Sequence, residues 1–389
     1  MDFRLYGDYL IHLIKCSIKK TKPTPVPQGI DLNELITLAE RHKVANIIYY
    51  ALQDLGIENE RISRAFNMAV FADAKQQYYL DEIRQSFETN KIRFLCMKGT
   101  VLKGLYPTTD MRTATDMDIY IDDENSEKAQ ELMTEIGFKT DRFNHELQDD
   151  AYTTDDMVHV ELHRKLISNK CRWDEKCQDI IKRITPKLEG AYEYVMTNED
   201  IYLHMIGHMA KHMKYSGFGI RMVVDVWLYL EKFKSEMDFD ILDKRLKYCG
   251  LYDFNQAILK LNDYWFNGTN AYPATLQLAD YVVSSGIFGT YEQYISTDAA
   301  VNAGISKSKS AGRLKKMLYT VFLPYWNMCT LYPNLRRMPV LLPIYWIRRT
   351  FDRLLHKREK FSEMYKQYDN VDMKFATDIY EFKKGLGLD

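Results

Sequence analysis

The carboxylate pair Asp116 and Asp118 is the feature of this 389-residue sequence that most directly suggests chemistry. The two residues are two apart in an alternating segment, so on a strand both carboxylates leave the same face. Carboxylates this close repel each other unless water solvates them at a strand end or a divalent cation neutralises them. Oxygen ligands suit Mg²⁺, which usually takes one or two carboxylates together with substrate phosphates. The pair therefore predicts either a solvated strand edge or a metal site.

A second feature is the segment Lys98-Gly99-Thr100, which lies between a predicted strand and a predicted helix start. Glycine lets the backbone approach an anion closely, and the N–H groups at the start of a helix can bind phosphate. The lysine adds a positive charge. The glycine spacing of a P-loop is absent. We therefore expect this segment to bind phosphate without P-loop geometry.

A third acidic residue, Glu161, lies in the alternating segment of residues 157–162. On a strand it shares one face with His159 and His163, whereas the hydrophobic residues between them face the other way. Burying an acid there costs several kcal/mol unless it is paired or bound to a metal. Glu161 is therefore the third candidate site residue. The two histidines either ligate a metal with it or have a structural role.

Further candidates lie in the helical part of the chain. His204, His208 and His212 are four residues apart and form one stripe of a helix. Two histidines at this spacing can bind zinc, but the H-E-x-x-H string of metalloproteases is absent. The other interpretation is that they form structural hydrogen bonds or line a cleft. His145 is a further candidate.

Arg221 and Asp225 are the only charged residues in an otherwise apolar helical segment. A buried charge requires a partner. The simplest interpretation is a buried structural pair, although Arg followed by Asp is the less favourable order at this spacing. The functional interpretation is that one of the two positions the substrate or the histidine helix.

The elements that must position these residues change type along the chain. Helical periodicity dominates up to residue 90 and returns from residue 198 to about residue 290. Between them, short apolar or alternating runs predict strands at residues 92–97, 115–121, 138–143 and 157–162. This order predicts an α+β fold, in which a small mixed-sheet core is flanked by N-terminal and C-terminal helical regions. The predicted domains are residues 1–90, 91–190, 191–300 and 301–389.

Charge is unevenly distributed in the sequence. The formal net charge of −1 excludes a uniformly basic nucleic-acid binder, yet residues 307–360 contain 13 lysines and arginines and only two acidic residues. Arginines beside Trp, Tyr and Leu suit an anionic membrane surface or a nucleic acid, and they also suit packing against an acidic body. Residues 302–313 are rich in Gly, Ser and Lys and predict a linker.

No signal peptide or membrane-spanning run is recognisable, and the six cysteines include no C-x-x-C pair. This cysteine pattern is typical of reduced thiols. We therefore expect a cytoplasmic protein that can lie at the inner face of a membrane through residues 307–360.

Taken in order, these motifs resemble the nucleotidyltransferase superfamily typified by DNA polymerase β. The sequence is more closely similar to a bacterial family of uncharacterised nucleotidyltransferases, over about residues 30–235. The matching motifs are Lys98-Gly99, Leu105-Tyr106, Arg112, Asp116-Met117-Asp118, Gly137, Glu161-Leu162-His163, His208, His212, Arg221 and Asp225. One departure from the superfamily pattern is Gly99-Thr100 in place of the usual Gly-Ser or Gly-Gly. The methyl group of Thr100 would narrow the space through which a phosphate approaches.

The resemblance implies transfer of an NMP from an NTP to a hydroxyl group by a two-metal mechanism with Mg²⁺ or Mn²⁺. Asp116 and Asp118 would hold the metals, and Glu161 would complete the metal site or act as general base. The implied nucleotide-binding residues are Lys98, Gly99, Thr100 and Arg112. The implied supporting residues are His163, His208, His212, Arg221 and Asp225. The acceptor would be a saccharide, a lipid-linked molecule, a tRNA or a protein.

Two alternatives come from other functional classes. The first is a protein that keeps this fold and binds its ligand without turnover. The second is a metal-dependent hydrolase that uses the histidine-rich faces, for which tightly bound zinc would be expected.

Overall fold

The computed structural model describes residues 2–143, 149–167, 171–287, 289–303, 318, 321–356 and 371–388. The chain divides into two compact units. The first contains residues 1–212 and 218–288, and the second contains residues 213–217 and 289–389. All of the candidate site residues placed by the structure belong to the first unit.

Four helices form the N-terminal part of the first unit. They are α1 (Phe3–Lys19), α2 (Leu32–Arg41), α3 (Ala45–Asp54) and α4 (Glu60–Thr89). Asp31 accepts a hydrogen bond from the Glu34 N–H and so caps α2, as its position in the sequence predicts. Asn59 caps α4 in the same way. The predicted helical character of the first 90 residues is confirmed.

A five-stranded mixed sheet follows. Its strands are β1 (Phe94–Cys96), β2 (Asp116–Ile121), β3 (Lys139–Arg142), β4 (Asp149–Thr153) and β5 (His159–His163), in the spatial order β1-β2-β5-β4-β3. Only β2 and β5 are parallel, and the other pairs are antiparallel. The predicted α+β class is therefore correct. The strand β4 was not predicted, because its segment is mostly polar and lacks a hydrophobic run.

The two faces of this sheet differ in polarity. Hydrophobic residues of α4 pack on one face, together with those of helix α6 (Ser126–Ile136). The core residues contributed by the sheet and by both helices include Ile83, Phe87, Ile119, Leu132, Met133, Val160 and Leu162. The opposite face carries the candidate carboxylates, so the alternation of β2 and β5 separates the core from the site.

The remaining short elements of the first unit connect the sheet to the helices. They are α5 (Gly99–Leu102), α7 (Asp174–Cys177), the hairpin of β6 (Thr185–Pro186) and β7 (Tyr194–Val195), and the 3₁₀ helices Lys103–Leu105, Thr109–Met111, Asp123–Asn125, Gln178–Arg183 and Lys234–Glu236. The 3₁₀ turn Asp123–Asn125 precedes α6, so the helix begins at Ser126 and neither Asp122 nor Asp123 caps it. Gly137 ends α6 with φ 105°, a backbone conformation that favours glycine.

The second helical part comprises α8 (Asn198–Tyr215), α9 (Ile220–Phe233), α10 (Phe239–Cys249), α11 (Tyr252–Asn262), the π-helical turn Asp263–Asn267 and α12 (Pro273–Ser285). Helix α9 is buried from Ile220 to Tyr229, including Arg221 and Asp225. The N-terminal helix α1 packs against α3 and α12, so both helical regions belong to the first unit.

In the part of the second unit that the structure describes, the helices are α13 (Tyr291–Ala303), Tyr325–Leu331, Leu342–His356 and Met373–Gly385, with 3₁₀ helices at Pro333–Arg336 and Pro339–Leu341. Helical structure therefore extends past the predicted end near residue 290. The predicted linker begins inside α13, and its residues 304–313 lie outside the described residues. Val340, Ile344, Ile347 and Phe351 are exposed. Within the described part of the chain, no helix is both long enough and apolar enough to span a bilayer.

Candidate active site

The acidic residues of the site are positioned by the pairing of β2 with β5. In this parallel register Asp118 lies beside Glu161, and Asp116 lies beside His159. Side chains of residues paired in this way leave the same face of a sheet. The sequence therefore placed both carboxylates of β2 on one face correctly, and the structure adds Glu161 to that face.

Asp118 is the centre of a hydrogen-bonded cluster. Its Oδ1 accepts hydrogen bonds from Lys98 Nζ at 2.5 Å and from His163 Nε2 at 2.7 Å. The same His163 nitrogen lies 3.4 Å from Glu161 Oε2. Asp118, Glu161 and His163 each offer one ligand atom, and these atoms lie within 4.8 Å of one another. His159 takes no part in this group, since its Nδ1 lies 2.8 Å from the Thr153 hydroxyl.

The pKa shifts of the two aspartates have opposite directions. Burial raises the pKa of Asp118, but Lys98 and His163 outweigh it and hold that pKa well below the ordinary value. The pKa of Asp116 is raised by burial and then by the negative charge of Asp118. Asp118 is thus a carboxylate with internal counter-ions, whereas Asp116 is a half-buried carboxylate whose pKa is raised.

The partners of Asp118 also titrate differently. Burial lowers the pKa of His163, yet its hydrogen bonds to Asp118 and Glu161 raise it above the ordinary value overall. The hydrogen bond from His163 lowers the pKa of Glu161 although burial opposes this shift. The cluster therefore favours ionised Asp118 and Glu161 around a protonated imidazole.

The turn that brings Lys98 to Asp118 has an unusual backbone. Lys98 has φ 48° and ψ −125°, a conformation that side-chain-bearing residues seldom adopt. The next residue, Gly99, packs so closely that an added Cβ would lie 3.2 Å from Ala114 Cβ. Glycine thus allows close packing at this turn, and the turn directs the Lys98 ammonium at the carboxylate.

A cavity of about 250 Å³ opens between this turn and the helices α8 and α9. Lys98, Gly99, Asp116 and Asp118 line one side. The polar lining residues also include Arg112, His204, His208, His212, Arg221 and Asp225. The structure therefore brings ten of the candidate residues named from the sequence to this cavity, and Glu161 and His163 join them through Asp118.

Thr100 is the exception. It lines a second cavity of about 360 Å³ on the other side of α5, and its hydroxyl is buried without a hydrogen-bond partner among the described residues. The Thr100 N–H donates to the Met97 carbonyl at 3.1 Å, so the four-residue helix α5 does not leave this amide available to an anion. Thr100 therefore does not line the cavity that contains the aspartates.

Asp225 pairs with Arg112 and not with Arg221, which corrects the expected helical pair. Arg112 Nε donates to the two oxygens of Asp225 at 2.8 and 3.1 Å, and the Tyr106 hydroxyl donates to Oδ1 at 2.7 Å. Burial and the neighbouring Asp225 hold the pKa of Tyr106 well above its usual value, so the phenol remains a donor. Tyr106 and Asp225 fix the guanidinium of Arg112 at the cavity wall.

Arg221 has other contacts. Its Nη1 donates to the carbonyl and the hydroxyl of Thr113 at 2.8 and 3.1 Å. The same carbonyl accepts a hydrogen bond from Arg112 Nη1 at 2.7 Å. Two guanidinium groups therefore meet at one neutral oxygen.

The histidine stripe divides into two parts. His204 Nε2 donates to the Leu166 carbonyl at 3.2 Å, whereas the Nε2 atoms of His208 and His212 lie 3.2 Å from each other. Burial lowers the pKa of His204 and that of His212 to about 4, so both imidazoles are neutral at pH 7. Burial and then His212 lower the pKa of His208 as well. Within the described residues, these three histidines do not form a metal-binding group, and His145 lies outside those residues.

Comparison with known proteins gives one match. The sequence model of a family described as uncharacterised nucleotidyltransferase matches residues 28–267, which is more than half of the chain. This chain belongs to that nucleotidyltransferase family. Neither the comparison with curated proteins nor the comparison with solved structures returned a match.

The matched segment of this nucleotidyltransferase family member contains every candidate site residue from Lys98 to Asp225. It also contains Tyr106 and Thr113, two residues that contact the cavity arginines or their partner and to which the sequence alone assigns no role. Tyr106 carries a signal, because it stands in the Leu-Tyr motif of the resemblance. Thr113 carries none, since it acts mainly through its backbone carbonyl.

The donor set of this nucleotidyltransferase family member fits a divalent cation. Asp116, Asp118 and Glu161 offer oxygen ligands, and His163 offers a nitrogen. Oxygen-rich sets suit Mg²⁺ and Mn²⁺, whereas a structural zinc site takes mostly Cys and His. At present the positive charge beside Asp118 is supplied by Lys98 and His163.

Proposed function

We propose that this protein transfers an NMP group from an NTP to a hydroxyl group of an acceptor, with Mg²⁺ or Mn²⁺ as cofactor. The observation that carries the proposal is the cluster on the polar face of β2 and β5. There Asp118, Glu161 and His163 lie within 4.8 Å of one another, beside the Lys98-Gly99 turn and next to Asp116. Membership of a nucleotidyltransferase family supports the same chemistry.

The proposed metal ligands are Asp116, Asp118 and Glu161. A divalent cation bound to them would neutralise negative charge on the phosphates and polarise the reacting phosphoryl group. It would also relieve the repulsion between the two aspartates that raises the pKa of Asp116.

The phosphates would be bound on the side of the cavity formed by the Lys98-Gly99 turn. Lys98 holds its ammonium at the cavity surface, and Gly99 lines the cavity beside it. The absence of a side chain at Gly99 lets Ala114 and Arg112 pack against this turn. In the transfer step, the acceptor oxygen forms a bond to the α-phosphorus, and the bond to the bridging oxygen of the leaving pyrophosphate breaks. Glu161, whose side chain is 32% exposed, would either complete the metal site or take the hydroxyl proton.

The NTP requirement is tested by thermal unfolding with each of the four NTPs, in Mg²⁺, in Mn²⁺ or in EDTA. A ligand at about 100 times its Kd adds about 2.7 kcal/mol of stability, which raises Tm clearly. We expect a metal-dependent rise with at least one NTP in the wild type and none in Asp118→Asn. Asp155→Asn is a matched control, because this aspartate is exposed and pairs with Lys139 outside the cavity.

Turnover is tested by pyrophosphate release and by transfer of label from an α-³²P NTP to candidate acceptors. The acceptors to compare are saccharides, lipid-linked molecules, tRNA and protein. We expect transfer to one class, with a loss of at least about a hundredfold in Asp116→Asn, because removal of a group that stabilises transition-state charge typically costs this much. NTP binding without release or transfer would identify a binding protein, and undiminished transfer by a folded Asp116→Asn variant would contradict the mechanism.

A further inference from the structure

Two buried arginines line the same cavity but have different counter-ions. Arg112 is 7% exposed and pairs with Asp225 through two hydrogen bonds. Arg221 is 6% exposed, and both acceptors of its Nη1 belong to Thr113 and are neutral. The Arg221 Nε is buried and has no hydrogen-bond partner among the described residues.

No carboxylate of the described cavity wall forms a direct ion pair with Arg221, although Asp225 and Asp116 act on its charge from a greater distance. Asp225 is bound by Arg112 and Tyr106, and Asp118 is bound by Lys98 and His163. The third carboxylate that lines the cavity is Asp116. Across the described residues, no carboxylate oxygen lies within 4.0 Å of an Arg221 nitrogen.

The groups around Arg221 favour the binding of an anion. Arg112 shares the Thr113 carbonyl with Arg221, so a second positive charge is close by. The helix α8 contributes His204, His208 and His212 to the lining, and their lowered pKa values keep them neutral at pH 7. Burial and then Arg112 lower the pKa of Arg221 to about 9, which still leaves it charged at pH 7. A buried charge without a partner is costly, and the cost is removed when a ligand supplies the opposite charge.

We propose that Arg221 is the oxyanion-binding residue of this cavity and that its guanidinium takes a phosphate or carboxylate group of the substrate. A guanidinium presents Nε and Nη donors in a fork that matches two oxygens of such a group. Arg221 then takes the phosphate-binding role that the sequence assigned to Arg112, while Arg112 holds Asp225. The assignment of the anion to a substrate rests on the proposed function, and its source is either the NTP triphosphate or an anionic acceptor.

The first test measures anion binding in EDTA by titration calorimetry, with inorganic tripolyphosphate and inorganic phosphate as probes at about 0.15 M salt. We expect tripolyphosphate to bind Arg221→Gln about tenfold to a hundredfold more weakly than wild type, because hydrogen bonds to charged groups are lost. Arg221→Lys keeps the charge and loses the fork, so its affinity lies between the two. Arg245→Gln is the matched control, since Arg245 pairs with Asp200 outside the cavity.

A second readout separates binding from structural support. Arg221→Gln removes a buried charge that has no carboxylate partner, so the Tm of its ligand-free form equals or exceeds that of wild type. A structural arginine would give a clearly lower Tm or an unfolded protein. Either of those results, or equal binding of both anions by wild type and Arg221→Gln, overturns the proposal.

The source of the anion follows from two further titrations. If NTP with Mg²⁺ also binds Arg221→Gln more weakly, the triphosphate supplies the anion. If NTP affinity is unchanged and inorganic phosphate binds the NTP-saturated wild type but not Arg221→Gln, the acceptor supplies it. Failure of the proposed function looks different, because metal-free tripolyphosphate binding would still depend on Arg221 while no NTP was transferred.

Discussion

The cavity has two walls, one formed by the sheet and the Lys98-Gly99 turn and the other by the helices α8 and α9. Buried charges are neutralised differently on the two walls. On the sheet side, Asp118 has two cationic partners, and Lys98 reaches it from a turn at the cavity surface. On the helix side, Arg112 and Asp225 form a closed pair, and Arg221 has no carboxylate partner among the described residues. Partners on a turn at the cavity surface can be exchanged for a ligand, whereas a closed pair between buried residues holds the wall in place. The sheet side therefore holds charges whose partners can change, and the helix side holds charges in fixed positions.

The largest effect is expected from breaking the closed pair. Asp225→Asn leaves the Arg112 guanidinium buried without a carboxylate, which costs about 3–5 kcal/mol of unfolding free energy. Urea denaturation measures this loss, with the exposed Asp240→Asn on the neighbouring helix α10 as control. A loss below about 1 kcal/mol would mean that the pair is not what fixes the helix wall.

The next effect contrasts the two aspartates of β2. Asp118→Asn weakens the contacts with Lys98 and His163 and lowers the unfolding free energy by about 1.5–3 kcal/mol. Asp116→Asn relieves a buried charge whose pKa is raised, so it leaves the stability unchanged or increases it. The comparison uses urea midpoints of both ligand-free variants at pH 7. Equal destabilisation by the two substitutions would contradict the different electrostatic roles given to them.

The smallest effect near neutral pH concerns one histidine on each wall. The pKa of buried His204 falls to about 4 in the folded protein, so its contribution is present above the unfolded value near 6.5 and is lost as pH falls. The pKa of His163 is raised, so its contribution is present below about 6.5 and is lost as pH rises through the folded value. Each slope is at most about 1.4 kcal/mol per pH unit.

Stability measured between pH 4.5 and 8.5 tests both signs. His204→Gln should flatten the loss of stability on the acidic side, and His163→Gln should flatten the loss on the alkaline side. Slopes that change in the same direction in both variants would show that the two walls do not differ as described.

Local patterns account for the parts of this site that could be predicted. The alternation of residues 115–121 and 157–162 gave the strands β2 and β5 and the shared face of their carboxylates. The Lys98-Gly99 turn was predicted because a strand, a glycine and a helix start are adjacent in the sequence. Each of these inferences needs only neighbouring residues and the period of one element.

The parts that could not be predicted depend on contacts between distant residues. The partner of Asp225 is 113 positions away in Arg112, whereas the sequence offered Arg221 one helical turn away. Local spacing says nothing of which arginine the tertiary structure brings to a carboxylate. Thr100 shows the same limit on a smaller scale. It follows Gly99 in a short helix, and the helical rotation from one residue to the next turns the Thr100 side chain toward the other cavity.

The unusual backbone conformation at Lys98 lets the chain itself neutralise the charge of Asp118. Because the turn directs the ammonium at Asp118, the carboxylate has a built-in counter-ion when no ligand is bound. In the proposed function, a nucleotide whose phosphates take over this ammonium would remove that counter-ion and leave His163 as the remaining partner of Asp118. A divalent cation would then replace the lost charge, so the affinity for phosphate and the affinity for a cation would be linked through Lys98, and each ligand would strengthen the binding of the other.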